Sequence, residues 1–172
     1  RKVAAVIGGG VIGGGWAARF LLHGWDVRVF DPDPEAERKI NEVLGNGRRS
    51  LPGIYNEVLP AEGDVQFTGS IAEAVTDAQW IQESVPERLE VKHAVYPEIQ
   101  AAARDDAVLA SSTSGFKPSQ LAEGAVNPGQ ILVAHPYNPV YLLPLVEIVQ
   151  HPHSDAEILA GAMRIARSIG MK

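Results

Sequence analysis

The sequence predicts a doubly wound α/β fold, in which a mostly parallel sheet carries helices on both faces. Short apolar runs recur along the chain like buried strands, and segments with helical periodicity lie between them. A glycine-rich turn joins the first apolar run to the first helical segment. The 172 residues have the length of one domain, so we expect residues 1–172 to form a single domain.

The amino-terminal segment is predicted to form a strand, a glycine turn, a helix and a second strand. Val3–Ile7 is a continuous apolar run, typical of a strand buried on both faces. Residues 12–22 place apolar side chains at helical spacing, and Gly24 suits the left-handed position after a helix end. Residues 27–30 form the second predicted strand, which ends at Asp31.

The rest of the chain continues the alternation of strands and helices. Further strands are predicted at residues 65–68, 80–83, 107–110, 131–134 and 145–149. Helices are predicted to begin at Asp33-Pro34, after Ser70, at Leu89 and after Ser154, and Pro97 is expected to kink or shorten the third of them. Glycines and prolines between residues 45 and 64 break up a stretch that is predicted to be partly helical.

The composition excludes several classes of protein. Lys and Arg number 15 against 21 Asp and Glu, the net charge is −6, and no dense basic run occurs, so no nucleic-acid or membrane-surface partner is expected. The absence of cysteine excludes disulfide frameworks and thiolate metal sites. His151 and His153 lack a supporting acidic cluster, so no metal is expected. No apolar run is long enough for a membrane span, and we expect a cytoplasmic protein.

The glycine turn predicts a dinucleotide site. Its sequence, Gly8-Gly9-Gly10-Val11-Ile12-Gly13, matches G-x-G-x-x-G between a strand and a helix. Gly8 permits the tight turn, Gly10 lets the backbone approach a pyrophosphate, and Gly13 lets the helix pack on the strand. The N–H groups of Gly10, Val11 and Ile12 open the helix and can face the phosphates.

Asp31 distinguishes among the possible dinucleotides. Its carboxylate follows the second strand, where it can accept hydrogen bonds from both hydroxyls of the adenosine ribose. A 2′-phosphate would be repelled by Asp31, and the adjacent Pro32 supplies no cation, so NAD is favoured over NADP. FAD stays open as a second possibility.

Polar side chains follow three later strands, at the edge where nucleotide sites lie. Ser84 follows the strand at 80–83, Ser114 follows that at 107–110, and His135 and Asn138 follow that at 131–134. Glu147 interrupts the last apolar run, and His135 is the available imidazole partner for its carboxylate. The residues alone leave a second interpretation open, in which Glu147 faces solvent on an edge strand and His135 ends its strand.

Four segments resemble the NAD-binding half of the 3-hydroxyacyl-CoA dehydrogenase superfamily. They are the glycine turn with Asp31, residues 84–87, residues 111–115 and residues 135–147, and the resemblance covers essentially the whole chain. It implies a Rossmann fold with NAD, His135 as general base, Glu147 as its partner and Ser114 as a hydrogen-bond donor to the reacting oxygen. It further implies that Asn138 positions the nicotinamide or the His135 loop, and that the cofactor-contacting residues include Ser84, Glu87 and Lys92.

The block at residues 135–147 is most similar to the branch of that superfamily that oxidises L-carnitine. The resemblance therefore implies a small-molecule substrate and NAD-dependent oxidation of its 3-hydroxyl to give 3-dehydrocarnitine. L-gulonate and L-3-hydroxyacyl-CoA are the alternative substrates, and an NAD-binding structural protein like a crystallin is the non-enzymatic alternative. Phe116, Tyr137 and Tyr141 lie beside the catalytic loops and provide either aromatic faces for a quaternary ammonium or core packing.

The superfamily resemblance also concerns the end of the chain. Its members continue into a helical domain that forms a homodimer, whereas this chain stops at Lys172. We therefore expect a fragment of a two-domain enzyme that lacks the helical dimerisation domain and is poorly active alone.

Overall fold

The computed structural model describes residues 1–172 and contains one seven-stranded sheet flanked by α-helices. The strands are β1 (Val3–Ile7), β2 (Asp26–Phe30), β3 (Val65–Phe67), β4 (Trp80–Glu83), β5 (Val108–Ser111), β6 (Ile131–Pro136) and β7 (Val146–Val149). The helices are α1 (Gly10–Leu22), α2 (Ala36–Ser50), α3 (Ile71–Val75), α4 (Leu89–Ala102), α5 (Pro118–Ala122) and α6 (Ala156–Ser168).

The strand order is β3-β2-β1-β4-β5-β6-β7, which confirms the predicted doubly wound sheet. All neighbouring strands are parallel except β7, which runs antiparallel to β6. The order reverses between β1 and β4, and in such sheets this reversal opens a crevice at the carboxyl ends of the strands. None of the helices combines the length and the apolar character that a membrane span requires.

Both faces of the sheet are buried, because successive strand residues point to opposite sides. On one face, Ala4 and Val6 of β1 pack in a core with α1, α2 and α6, where Trp16 and Trp80 have ring centroids 5.8 Å apart. On the other face, Ala5 and Ile7 join a core with α3, α4 and α5. Trp16 is therefore a core residue, as its position in the helical pattern predicts.

Helices α1 and α2 approach closely along a seam that contains glycines. A Cβ added at Gly14 would lie 3.1 Å from the Val43 Cβ, and one at Gly47 would lie 3.0 Å from the Ala18 Cβ. Close packing of the two helices therefore requires glycine at Gly14 in α1 and at Gly47 in α2, and α2 continues through Gly47 to Ser50. This packing explains why Gly47 lies within a helix and not in a loop.

Two predicted helix starts are wrong by one or two residues. Helix α2 begins at Ala36 because a turn precedes it, in which the Glu35 N–H donates to Asp33 Oδ1 at 2.9 Å. Helix α6 is capped by Asp155, which accepts from the N–H groups of the first turn, whereas Ser154 is not the cap. Pro97 does not shorten α4, which runs on to Ala102.

Candidate active site

The glycine turn has no room for a side chain at Gly8 or Gly13. Gly8 has a φ of +87°, and a Cβ there would lie 2.6 Å from the carbonyl carbon of Ser84. A Cβ at Gly13 would lie 2.3 Å from the Gly8 carbonyl oxygen. Both contacts are with backbone atoms that cannot yield, so the strand–turn–helix geometry requires glycine at these two positions.

Gly10 begins α1 and faces open space. Its φ is +76°, and no atom lies within 4 Å of a Cβ built on it. The first turn of α1 has neither a side-chain cap nor an acidic residue, so no side chain of the turn satisfies its N–H groups. Free N–H groups and the helix dipole form a site for an anion such as a pyrophosphate.

The Asp31 carboxylate is fixed at the end of β2. Its Oδ2 accepts from the Gly9 N–H at 2.5 Å, and its Oδ1 accepts from the Asp33 N–H at 2.8 Å. These bonds leave further lone pairs on both oxygens. Asp31 therefore ties the second strand to the glycine turn and still presents an acceptor for a pair of hydroxyls.

A crevice of about 600 Å³ lies between the glycine turn, Asp31 and the end of β4. Ser84 is part of its lining, and apolar side chains such as Ile71, Val91 and Val95 form one wall. The crevice fits the adenosine diphosphate portion of a dinucleotide, because it combines a suitable volume with an anion site at the start of α1, the Asp31 carboxylate and an apolar wall. The structure thus places Gly8, Gly10 and Asp31 around one crevice, and their contact with a cofactor stays a prediction.

His135 and Glu147 meet on the antiparallel pair β6–β7. They are register partners, and His135 Nδ1 lies 3.8 Å from Glu147 Oε2. This distance allows an ion pair when the imidazole is protonated but is too long for a hydrogen bond. The side chains are 28% and 58% exposed, so the pair faces an open surface.

Tyr137 is the third member of this group. Its hydroxyl donates to Glu147 Oε1 at 2.5 Å, and this bond raises the pKa of Tyr137. The Tyr137 ring meets the His135 ring edge-on, with centroids 5.5 Å apart. Sequence reasoning named Tyr137 only as an aromatic surface; the hydroxyl contact depends on the β6–β7 register, which the sequence does not give directly.

A cleft of about 320 Å³ lies between these side chains and the loop after β5. Ser114, His135 and Glu147 all line it, together with Phe116 and Lys117. Three of the four predicted catalytic residues therefore share one cleft. Asn138 instead lines a neighbouring cleft that also contains Gly10 and Val11 of the glycine turn.

A buried polar cluster lies beneath the loops after β4 and β5. Glu83 is fully buried, with Oε2 accepting from Lys92 Nζ at 2.7 Å and Oε1 accepting from the Tyr96 and Ser111 hydroxyls at 2.6 Å each. Burial, aided by the Glu83 charge, raises the pKa of Tyr96 well above its usual range. The cluster satisfies every oxygen of a carboxylate that burial would otherwise make costly.

Lys92 belongs to this cluster and not to the wall of the crevice. Its side chain is 1% exposed, and its Nζ also lies 3.8 Å from Glu87 Oε2. Neither Lys92 nor Glu87 lines the crevice described above. Direct contact of these two residues with the cofactor therefore stays a prediction.

Thr113 connects the cluster to the loop that carries Ser114. Its N–H donates to Ser111 Oγ at 3.2 Å, and its hydroxyl donates to Glu87. The same hydroxyl accepts from the Phe116 N–H at 3.1 Å. Sequence reasoning noted the acid and hydroxyls at these strand ends but missed their mutual bonding, because the partners come from different strands and from α4.

The chain matches a known protein family over nearly its whole length. Residues 3–172 match the family model described as 3-hydroxyacyl-CoA dehydrogenase, NAD binding domain.

Two curated relatives carry related names. The chain is 65% identical over 167 residues to an L-carnitine dehydrogenase/betainyl-CoA thioesterase of Ruegeria pomeroyi, covering 97% of this chain and 34% of that protein. It is 54% identical over 170 residues to an L-carnitine dehydrogenase of Mesorhizobium japonicum, covering 98% of this chain and 47% of that protein. The chain thus spans less than half the length of these relatives.

A solved structure shares the fold over nearly the whole chain. The NAD⁺-dependent 5-formyl-3-hydroxy-2-methylpyridine 4-carboxylic acid 5-dehydrogenase superposes with a TM-score of 0.88 at 31% identity, covering 99% of this chain and 55% of that one.

Proposed function

Because the chain belongs to the family of NAD-binding domains of 3-hydroxyacyl-CoA dehydrogenases, we propose that residues 1–172 are the cofactor domain of a longer enzyme that oxidises the 3-hydroxyl of L-carnitine. The observation that carries this proposal is the cleft in which Ser114, His135 and Glu147 meet, at the edge of the sheet that also holds the glycine-turn crevice. The names of two relatives, at 65% and 54% identity, support carnitine as the substrate.

NAD is the cofactor of this domain, and the crevice residues fit it. The N–H groups at Gly10, Val11 and Ile12 would hold the pyrophosphate, and Asp31 would accept from the ribose hydroxyls. When bound, NAD supplies the acceptor for the hydride that leaves the substrate carbon. The protein then supplies binding, orientation and proton handling.

Proton handling falls to His135 in this proposal. A neutral imidazole at the cleft accepts the proton of the substrate hydroxyl, and the resulting imidazolium is stabilised by Glu147 at 3.8 Å. The Ser114 hydroxyl hydrogen-bonds the same substrate oxygen and fixes its position. Asn138, in the cleft beside Gly10, orients the nicotinamide side of the site.

The charges around the site favour a small zwitterion over a coenzyme A thioester. A thioester would need cations for its phosphates, but three of the four cations of α2 are paired with carboxylates: Arg38 with Glu35, Lys39 with Asp33 and Arg48 with Glu62. The fourth, Arg49, bonds the neutral Asn46 amide. In the catalytic cleft, Lys117 offers one cation to a carboxylate, and Phe116 offers an aromatic face to a quaternary ammonium. L-carnitine carries both of these groups.

A longer enzyme is part of the proposal. Relatives of more than twice this length support it, as do the exposed side chains of Leu142, Leu143 and Leu145 next to the catalytic segment. A further domain that covers these leucines would also close the catalytic cleft and could carry the dimer contact.

The experiment is a substrate panel with the longer enzyme and NAD. L-carnitine, L-gulonate and an L-3-hydroxybutyryl-CoA thioester are each offered at equal concentration, and NADH formation is followed by absorbance. We expect the highest kcat/KM with L-carnitine. Faster turnover of L-gulonate or of the thioester would replace carnitine as the assigned substrate. If none of the three compounds were oxidised, the proposed activity would be wrong and only the assignment as an NAD-binding domain would stand.

A further inference from the structure

We propose that the Tyr137 hydroxyl is a positioning group that holds the Glu147 carboxylate toward His135. The inference rests on the proposed function for its catalytic meaning, but the contact itself is part of the fold. Tyr137 would thus join His135 and Glu147 as a third member of the catalytic group, acting through Glu147 and not on the substrate oxygen.

Glu147 has one hydrogen bond that fixes its carboxylate, and Tyr137 supplies it. The O–O distance is 2.5 Å, whereas His135 Nδ1 lies 3.8 Å from the other carboxylate oxygen. The Glu147 side chain is 58% exposed and sits on β7, at the edge of the sheet. Without the phenol, such a side chain is free to rotate into water, where its charge contributes little to an imidazolium.

The strand geometry explains why Tyr137 can reach Glu147. Side chains two residues apart along an extended segment point to the same side, so Tyr137 follows His135 on one face. Glu147 stands opposite His135 in the ladder, and a diagonal neighbour lies within reach of a long aromatic side chain. The edge-on contact of the Tyr137 and His135 rings completes a three-residue group with Glu147 at its centre.

Other charged groups near His135 are few. Lys117, from the start of α5, lines the same cleft, and Glu87 lies close to Gly115 in the loop after β5. Neither is hydrogen-bonded to Glu147 or to Tyr137. A difference in His135 titration between variants at position 137 therefore reports the Tyr137–Glu147 contact.

The direction of the effect follows from the charges. A carboxylate held near the imidazole favours its protonated form, so loss of the anchor should lower the His135 pKa. Removal of the Glu147 charge should lower it too. If Tyr137 acts only by placing Glu147, its removal should have no further effect once Glu147 has no charge.

The test is an NMR titration of the His135 ring in the 172-residue chain, which needs no turnover. Tyr137→Phe keeps the ring and removes the hydroxyl, Glu147→Gln removes the charge, and the double variant combines them. We expect the midpoint of the His135 ring titration to move to lower pH in each single variant, and the double variant to match Glu147→Gln. Tyr141→Phe is the matched control, because the Tyr141 hydroxyl bonds no side chain. It should leave the His135 titration as it is in the wild type.

Two results would overturn the inference. One is an unchanged or raised His135 pKa in Tyr137→Phe. The other is additive shifts in the double variant, which would mean that Tyr137 acts on His135 without Glu147.

In the longer enzyme, Tyr137→Phe should also move the acid limb of kcat/KM to lower pH and reduce kcat several-fold. An inactive wild-type enzyme would count against the proposed function and leave the titration result as it stands.

Discussion

Glu147 lies directly opposite His135 in the antiparallel ladder of β6 and β7, with its carboxylate 3.8 Å from the imidazole. This edge pair departs from the parallel pattern of the other strands. It brings a carboxylate from the last strand back to the strand end where the cleft lined by Ser114, His135 and Glu147 opens. The antiparallel return of the chain after β6 is therefore what brings His135 and Glu147 together.

Asp31 should control the choice of cofactor. In Asp31→Asn, the charged acceptor for the ribose hydroxyls is lost, and we expect NAD affinity to fall roughly tenfold or more, because hydrogen bonds to charged groups contribute about 1.5–3 kcal/mol. The affinity for NADP should fall less, so the ratio of NAD affinity to NADP affinity should decrease. Calorimetric titration with both nucleotides measures this. Asp77→Asn, an exposed carboxylate paired with Arg28, is the control, and an unchanged NAD/NADP ratio in Asp31→Asn would remove the assignment.

Gly13 should tolerate no side chain. In Gly13→Ala the new Cβ would lie 2.3 Å from the Gly8 carbonyl oxygen, so we expect the free energy of unfolding to drop by about 1–3 kcal/mol or more. Gly45→Ala is the matched control, because its nearest neighbour is the end of the Arg49 side chain at 3.5 Å. That variant should gain about 0.5–1 kcal/mol by helix propensity. Urea unfolding compares the two, and equal effects would contradict the packing account.

Glu83 should be a major determinant of stability. Glu83→Gln removes the buried counter-charge of Lys92 and leaves it only the half-exposed Glu87 carboxylate at 3.8 Å, and breaking a buried pair costs about 3–5 kcal/mol. Glu98→Gln, exposed on the same helix as Lys92, should change stability by less than about 0.5 kcal/mol. Urea midpoints measure both. A Glu83→Gln protein as stable as the wild type would mean that Lys92 finds another partner or loses its proton.

His23 should make the fold sensitive to mild acid. Burial lowers the pKa of His23, so the unfolded chain takes up a proton before the folded one does. Stability contributed by neutral His23 is therefore present above the unfolded pKa of about 6.5 and is lost as the pH falls below it. In His23→Gln the loss of stability between about pH 7 and pH 5 should be smaller than in the wild type, as followed by urea unfolding. An identical pH slope would show that other groups cause it.

Local patterns predicted most of the fold. The apolar run of β1, the glycine turn and Asp31 lie close together in the sequence. Each of them could be interpreted from its own residues, without knowledge of distant contacts. Strand ends with polar residues likewise predicted the edge where the clefts lie. The extent of α2 was not predictable, because Gly47 is a helix residue there only through its packing against Ala18.

Long-range polar contacts are the part of the candidate site that could not be predicted from the sequence. The sequence predicted that Glu147 needs a partner and that His135 was available, but it gave no distance and left a solvent-facing Glu147 open. The Tyr137 hydroxyl bond to Glu147 depends on register, and the Glu83 cluster depends on how α4 packs under β4. A carboxylate at the end of an apolar strand, as at Glu83, is the signal that points to such a cluster.

The proposed role of His135 is to accept the substrate proton beside an intact NAD site. It is tested most directly by measuring NADH formation from L-carnitine and NAD with the wild-type longer enzyme and its His135→Gln variant, together with NAD affinity. We predict that kcat falls by about 10²–10⁴-fold while the NAD dissociation constant changes by less than about twofold. A variant that keeps its kcat, or that loses NAD binding in proportion to activity, would contradict the account.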